Sequence, residues 1–119
     1  MKKLIFLIFT FLFLSVSGQE TIKPEEAANY VNKNVTVCGK VASAYYASEL
    51  EEKPTFLNLD KPYPDQIFTI FILPDVRSQF ENKPEVFYLN KEVCVTGKIT
   101  LYNSKPQIVL EKKGDLKLK

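Results

Sequence analysis

The sequence of 119 residues contains no histidine and only two cysteines, Cys38 and Cys94. Without histidine the commonest general base of enzymes is missing, and two cysteines alone do not complete a four-ligand zinc site. The sequence also lacks a G-x-S-x-G nucleophile motif, a glycine-rich phosphate-binding loop and any cluster of residues with metal-ligand spacing. We therefore expect a protein that is not an enzyme and that carries no cofactor and no metal ion.

Long hydrophobic runs are absent except at the N-terminus. Lys2 and Lys3 precede an apolar run over residues 4–14, and mostly small residues follow at positions 15–19. This layout is typical of a secretory signal peptide, and the run is shorter than the roughly 20 residues that span a bilayer. The sequence predicts a signal peptide over residues 1–19 and an exported protein, periplasmic or secreted, with no membrane span once the signal is removed.

An excess of charge of one sign is also lacking. The chain has 16 lysines and arginines against 14 aspartates and glutamates, for a formal net charge of +2. Signal removal would take away Lys2 and Lys3 but no acidic residue, so the mature chain would carry no formal net charge. Because nonspecific polyanion binders usually carry an excess of positive charge, tight electrostatic binding of nucleic acid is not expected.

Two segments of nearly the same pattern, residues 35–41 and 93–99, organise the rest of the chain. Each alternates apolar and polar residues with period two, so each predicts a strand with one buried face. Each also carries a glycine at the same point, where a missing Cβ allows a strand to bend or bulge. Val35, Val37, Val41, Val93, Val95 and Ile99 are expected in the core.

The polar residues of these two segments suggest how the strands pair. If they are antiparallel neighbours with Cys38 opposite Cys94, Thr36 also lies opposite Thr96. In an oxidising compartment this register predicts a Cys38–Cys94 disulfide. It would close a loop of about 55 residues and contribute about 4 kcal/mol to stability. The alternative is two free buried thiols.

A single domain is predicted over residues 20–119. A short helix lies within residues 20–33, with Pro24 at its first position, and a barrel covers residues 34–112. Residues 113–119 form a loosely held tail. The order along the barrel is three strands, a helical segment and two strands, at residues 34–47, 55–60, 66–73, 91–102 and 105–112. Leu57, Leu59, Phe68, Ile70, Ile72, Ile108 and Leu110 are expected to point inward.

The helical segment between the third and fourth strands is predicted from its N-cap signal. Asp75 follows Pro74 and suits the N-cap position, and Val76 and Phe80 share one helix face. Val86, Phe87 and Leu89 are expected to continue the packing against the core.

This order resembles the five-stranded OB-fold barrel, in which a three-strand meander, a helix and a hairpin follow one another. The chain is similar to small exported bacterial proteins with an OB-fold nucleic-acid-binding-type domain, through residues 35–41, 54–60, 93–99 and 105–108. Phe56-Leu57-Asn58-Leu59-Asp60 is similar to the second strand of the anticodon-binding OB domains of aminoacyl-tRNA synthetases. There the position matching Phe56 offers an aromatic face to a base. The resemblance implies an all-β, five-stranded OB-fold barrel with a short N-terminal helix.

The ligand face of this fold is the outer surface of strands two and three with the flanking loops. The residues expected on or near that face are Tyr45, Tyr46, Phe56, Phe71 and Tyr102, then Asn58 and Thr69, and the lysines Lys40, Lys98 and Lys105. Aromatic rings amid lysines favour weak binding of single-stranded nucleic acid, since stacking contributes about 1–3 kcal/mol per base. Alternatively, each aromatic ring packs under a loop or under the first helix.

A different partner remains open from the sequence. Glu49, Glu51 and Glu52 lie in a loop next to the ligand face and would repel phosphates at short range. The neutral charge therefore also fits a periplasmic interaction module of the same fold that binds an envelope protein, a glycan or a small cation. A thiol-redox protein is a third hypothesis, although the sequence has no C-x-x-C motif.

Overall fold

The structure is a computed structural model that describes residues 20–119. The predicted signal peptide, residues 1–19, lies outside the described residues. Within residues 20–119, no helix is long and apolar enough to cross a membrane. The strands of this part are β1 (Thr21–Ile22), β2 (Asn34–Tyr46), β3 (Thr55–Leu59), β4 (Phe68–Ile72), β5 (Glu92–Tyr102), β6 (Lys105–Val109) and β7 (Leu116–Leu118). The helices are α1 (Pro74–Arg77) and α2 (Pro84–Phe87), with 3₁₀ helices at Pro24–Tyr30 and Lys113–Asp115.

Five of the strands form a ring of pairings. β2, β3 and β4 pair antiparallel in chain order, and β4 pairs parallel with β6. β6 then pairs antiparallel with β5, and β5 returns antiparallel to β2. β2 pairs with β5 through its first half and with β3 through its second half, and its register shifts between Val41 and Ser43. The prediction of a mostly β protein is therefore confirmed. The helical segment is also found where it was predicted, between β4 and β5.

The register of the two look-alike strands is confirmed. Cys38 lies opposite Cys94 and is joined to it by a disulfide, and Thr36 lies opposite Thr96. The hydroxyl oxygens of Thr36 and Thr96 are 2.7 Å apart and share a hydrogen bond. Inside the ring lies the predicted core, formed by the fully buried side chains Val37, Val41, Leu57, Leu59, Phe68, Ile70, Ile72, Val93, Val95, Ile99 and Ile108, with Val35 and Leu110 nearly so.

The two strand glycines allow close packing. A Cβ on Gly97 would lie 2.7 Å from Cγ2 of Ile108, and one on Gly39 would lie 2.8 Å from Cγ of Pro24. Neither glycine has a positive φ. The register shift in β2 comes after Val41, so Gly39 is not the bulge position suggested by the sequence. These positions lack a Cβ because a neighbouring side chain occupies its space.

The segment between β4 and β5 departs from the prediction in its details. Leu73, not Asp75, is the N-cap of α1, because Pro74 takes the first helical position. Pro84 starts α2, where the missing N–H of proline is tolerated. Val86 and Leu89 are exposed, contrary to expectation, and Tyr88 fills the core in their place. Its ring meets that of Phe87 edge to face, with 4.8 Å between ring centroids.

Both ends of the domain are better fixed than predicted. The predicted N-terminal helix is a 3₁₀ helix that starts at Pro24, and β1 before it pairs parallel with β2. Leu116–Leu118 is a strand paired with Val93–Val95 of β5, and Leu116 is buried. The expectation of a loosely held tail is therefore wrong. The fifth predicted strand also ends earlier, at Val109.

Candidate ligand-binding cavity

A cavity of about 720 Å³ opens on the outer face of β3 and β4, and we call it the aromatic cavity. Its walls come from the end of β2, the β2–β3 loop, the β3–β4 loop and the β5–β6 hairpin. The turn of that hairpin places Asn103 and Ser104 at φ of 51° and 67°, as a tight two-residue turn requires. Of the predicted site residues, the cavity is lined by Tyr45, Phe56, Asn58, Thr69, Tyr102 and Lys105.

Three tyrosines and one phenylalanine give the cavity its aromatic walls. Tyr45, Tyr63 and Tyr102 are 53%, 73% and 63% exposed, so a ligand in the cavity can reach their rings. Phe56 is half-buried and meets Phe71 edge to face, with 5.4 Å between ring centroids. Phe71 belongs to a smaller neighbouring cavity of about 280 Å³, which Phe56 and Tyr102 also line.

The floor of the aromatic cavity is a chain of hydrogen bonds. The Thr69 hydroxyl donates to Oδ1 of Asn58 over 3.1 Å, and Nδ2 of Asn58 donates to the hydroxyl oxygen of Ser43 over 3.1 Å. Ser43 also accepts the backbone N–H of Tyr63 at 3.0 Å. Asn58 and Thr69 lie on the predicted face, but they are only 3% and 8% exposed. Their polar groups are therefore used to fix the floor.

Gln66 is the last member of this series of hydrogen bonds, and it was not predicted as a site residue. Its Nε2 donates to the Thr69 hydroxyl at 3.5 Å, while its Oε1 is buried and has no hydrogen-bond partner. A buried acceptor without a donor costs about 1–3 kcal/mol. Tyr63, Ser43 and Gln107 also line the cavity without having been predicted. Tyr63 lies between two prolines in the sequence, and this stiff segment is the only sequence feature that marks it out as a possible site residue.

The cavity carries little charge. Among its described lining residues only Lys105 is charged, and its ammonium donates to the backbone carbonyl of Pro64. Glu49 accepts a hydrogen bond from the Tyr45 hydroxyl at 2.8 Å, and this bond raises the pKa of Tyr45. Glu51 and Glu52 line the smaller cavity. The acidic loop is thus next to the site, as expected from the sequence.

Three of the predicted site residues lie away from the cavity. The Tyr46 ring is covered by the guanidinium of Arg77, 3.7 Å from the ring centroid, and Arg77 pairs with Glu85 at 2.8 Å. Lys40 is exposed opposite Glu92, and Lys98 is exposed opposite Asn34, both on the β2–β5 pair. The structure therefore does not bring Tyr46, Lys40 and Lys98 together with the aromatic rings.

Two kinds of reactive group, metal-ligand clusters and free thiols, are absent from residues 20–119. No group of three or more histidine, cysteine, aspartate or glutamate side chains in residues 20–119 could hold a metal ion. Both cysteines are in the disulfide. What the cavity offers is ring faces, amides and hydroxyls, which are groups for holding a ligand.

Comparison with known proteins identifies a fold but no family. No protein-family model matches the sequence, and no curated protein matches it. Among solved structures, the chain is similar to a Leishmania major Friedlin protein described as an aspartyl-tRNA synthetase, with a TM-score of 0.53 and 14% sequence identity. The match covers 88% of this chain and 22% of the other, so this chain spans about a fifth of that protein. At this identity the likeness concerns the fold alone.

Proposed function

We propose that the protein is a non-enzymatic OB-fold binding domain. The order of a three-strand meander, a helical segment and a hairpin supports this, as does the ring in which β2 neighbours both β3 and β5. The structural likeness to part of an aspartyl-tRNA synthetase agrees with the resemblance of residues 56–60 to anticodon-binding OB domains. That support is partly by analogy, so the ligand has to be argued from the cavity itself.

We propose single-stranded nucleic acid, bound weakly through its bases, as the ligand. The observation that carries this is the set of exposed rings, Tyr45, Tyr63 and Tyr102, around half-buried Phe56 on the outer face of β3 and β4. Bases stack on such rings with about 1–3 kcal/mol each and with little dependence on sequence. The predicted export signal and the disulfide fit a protein that works in an oxidising compartment outside the cytoplasm.

The test is a fluorescence anisotropy titration of a labelled single-stranded oligothymidylate at low salt. Tyr102→Ala removes an exposed ring of the cavity, and we expect it to weaken binding by about 1–3 kcal/mol without affecting folding. Val86→Ala is the matched control, because Val86 is an exposed apolar residue on α2 outside the cavity lining. No binding at low salt, or equal affinities for the two variants, would falsify the proposal.

A second candidate is an uncharged glycan at the same cavity. It is favoured because Lys105 is the one charged residue among the described lining residues, and because the acidic loop lies beside the cavity. Titrating the ¹⁵N-labelled protein with neutral oligosaccharides, beside the oligothymidylate titration, separates the two candidates. Amide shift changes at the cavity with a sugar, together with no binding of oligothymidylate at low salt, would support the glycan.

A further inference from the structure

The smaller cavity, next to the aromatic cavity, is lined by the β2–β3 loop and by residues of β3, β4, β5 and β6. Its volume of about 280 Å³ lies just below the range of roughly 300–1,000 Å³ that drug-sized ligands occupy. Phe56 and Phe71 form one corner of it, because their ring planes are 77° apart, and the exposed ring of Tyr102 also lines it. The smaller cavity therefore suits a small group that contacts ring faces.

The charges at the smaller cavity are of one sign. Glu51 and Glu52 line it, and its described lining contains no lysine and no arginine. Lys53 follows them in the sequence, but it is exposed and lies outside that lining. Two carboxylates repel a phosphate at short range and attract a cation. The smaller cavity therefore favours a positively charged ligand.

At other places in residues 20–119, the protein's own cations cover aromatic rings. The three pairs are Arg77 over Tyr46, Lys91 over Phe87 and Lys113 over Phe80, with 3.7, 3.8 and 5.9 Å to the ring centroids. Phe56, Phe71 and Tyr102 belong to none of these pairs. Because the face of an aromatic ring is electrostatically negative, these three rings can attract a cation that a ligand supplies.

We propose that the smaller cavity binds a trimethylammonium group, with its methyl groups on the rings of Phe56, Phe71 and Tyr102 and its charge beside Glu51 and Glu52. An alkylated ammonium fits better than a primary one, because a primary ammonium is strongly hydrated and ring faces do not replace the hydrogen bonds that it loses. Cages of aromatic rings bind quaternary ammonium ligands in this way. The inference goes beyond the proposed function, since it does not require that nucleic acid binds.

Choline and its neutral isostere, 3,3-dimethylbutan-1-ol, test the inference because they share a shape and differ in charge. We would titrate the ¹⁵N-labelled protein with each compound and follow the amide shifts of the residues that line the smaller cavity. Choline should bind about tenfold more tightly than the isostere, the factor expected for two or three exposed cation–π contacts. The affinity for choline should fall as salt is added, because salt screens the carboxylates.

Glycerophosphocholine distinguishes a free ligand from a lipid headgroup. It carries the trimethylammonium group close to a phosphate, which the two carboxylates of the cavity repel. We expect it to bind several-fold more weakly than choline, and this result would support a free small molecule as the ligand. Tighter binding than that of choline would support the same recognition of trimethylammonium, with a lipid headgroup as its source.

Variants assign the preference for choline over its isostere to the carboxylates and the rings. Glu51→Gln/Glu52→Gln should reduce this preference about threefold to fivefold. Glu81→Gln/Glu111→Gln is the matched control, because it makes the same change in net charge at exposed positions outside the cavity lining, and it should keep the preference. Phe71→Leu keeps an apolar side chain but removes a ring, and it should reduce the preference about threefold.

The negative outcomes are distinguishable. Equal binding of choline and its isostere, or no binding of choline, overturns this inference, and the proposed function stands if the oligothymidylate binds. If choline binds with the expected preference and the oligothymidylate does not bind, only the proposed function is overturned. An equal loss of the preference in both double variants would reveal a general effect of net charge and would contradict the inference. If Phe71→Leu fails to fold, the double variants still decide, because they change only exposed side chains.

Discussion

Cys38 and Cys94 face each other across the antiparallel pair of β2 and β5, and their disulfide joins the two strands at directly opposed positions. Two residues further along the same strands, the hydroxyls of Thr36 and Thr96 share a hydrogen bond. The β2–β5 pairing closes the ring of five strands. The disulfide therefore fixes the pair of strands that closes the ring.

Removing the disulfide should be costly. The double variant Cys38→Ala/Cys94→Ala should lose about 4 kcal/mol of unfolding free energy, because the unfolded chain regains the freedom of a long loop. Urea unfolding followed by circular dichroism measures this. Thr96→Val is the control on the same pair of strands and should lose about 1 kcal/mol or less. A double variant no less stable than Thr96→Val would contradict the role assigned to the disulfide.

Adding one carbon at Gly97 should destabilise the core. A Cβ there would lie 2.7 Å from Cγ2 of the buried Ile108, so we expect Gly97→Ala to cost about 1–3 kcal/mol. Gly114→Ala is the matched control, since nothing lies within 4 Å of its added carbon. Thermal and urea unfolding of both variants measure the difference. Equal stabilities would show that β5 and β6 are less closely packed than described.

The docking of β7 can be tested at its one buried side chain. Leu116→Ala should cost about 2–4 kcal/mol, because Leu116 is nearly fully buried against the core. Leu118→Ala on the same strand removes an exposed side chain and should change stability by less than about 0.5 kcal/mol. If Leu116→Ala were as harmless as Leu118→Ala, the C-terminal segment would be the loose tail that the sequence suggested.

Tyr88 should make the protein sensitive to alkali. Burial raises the pKa of Tyr88 above its ordinary value of 10.0, so the unfolded chain releases the phenolic proton at lower pH than the folded one. Stability should fall as the pH rises from about 10 through the folded pKa of Tyr88. Tyr88→Phe should show a shallower fall when urea midpoints are measured over this pH window. The same slope in both proteins would contradict this cause.

Much of the fold is readable from the sequence, since one buried face gives a strand an alternating pattern. The paired positions of cysteine and threonine in residues 35–41 and 93–99 even predict a register. The short strands β1 and β7 escape prediction because two or three residues show no period. Val86 and Leu89 were wrongly expected in the core, because an apolar side chain is not always buried. Tyr88 is buried in their place, and this depends on how the residues around α2 pack.

The candidate site is only partly readable. Tyr45, Phe56 and Tyr102 could be placed from strand alternation and hairpin position. Gln66 and Tyr63 could not, because they lie in an irregular loop whose path depends on contacts with other parts of the chain. The burial of Asn58 likewise follows from partners on neighbouring strands, Ser43 and Thr69, which no local pattern brings together.

The most direct test of a base-binding cavity is a map of amide chemical-shift changes when a single-stranded oligonucleotide is added to the ¹⁵N-labelled protein. We predict that the changes cluster at Tyr45, Phe56, Tyr63, Gln66 and Tyr102 and leave residues 74–87 unaffected. Shift changes confined to α1 and α2, or no changes at all, would contradict the account.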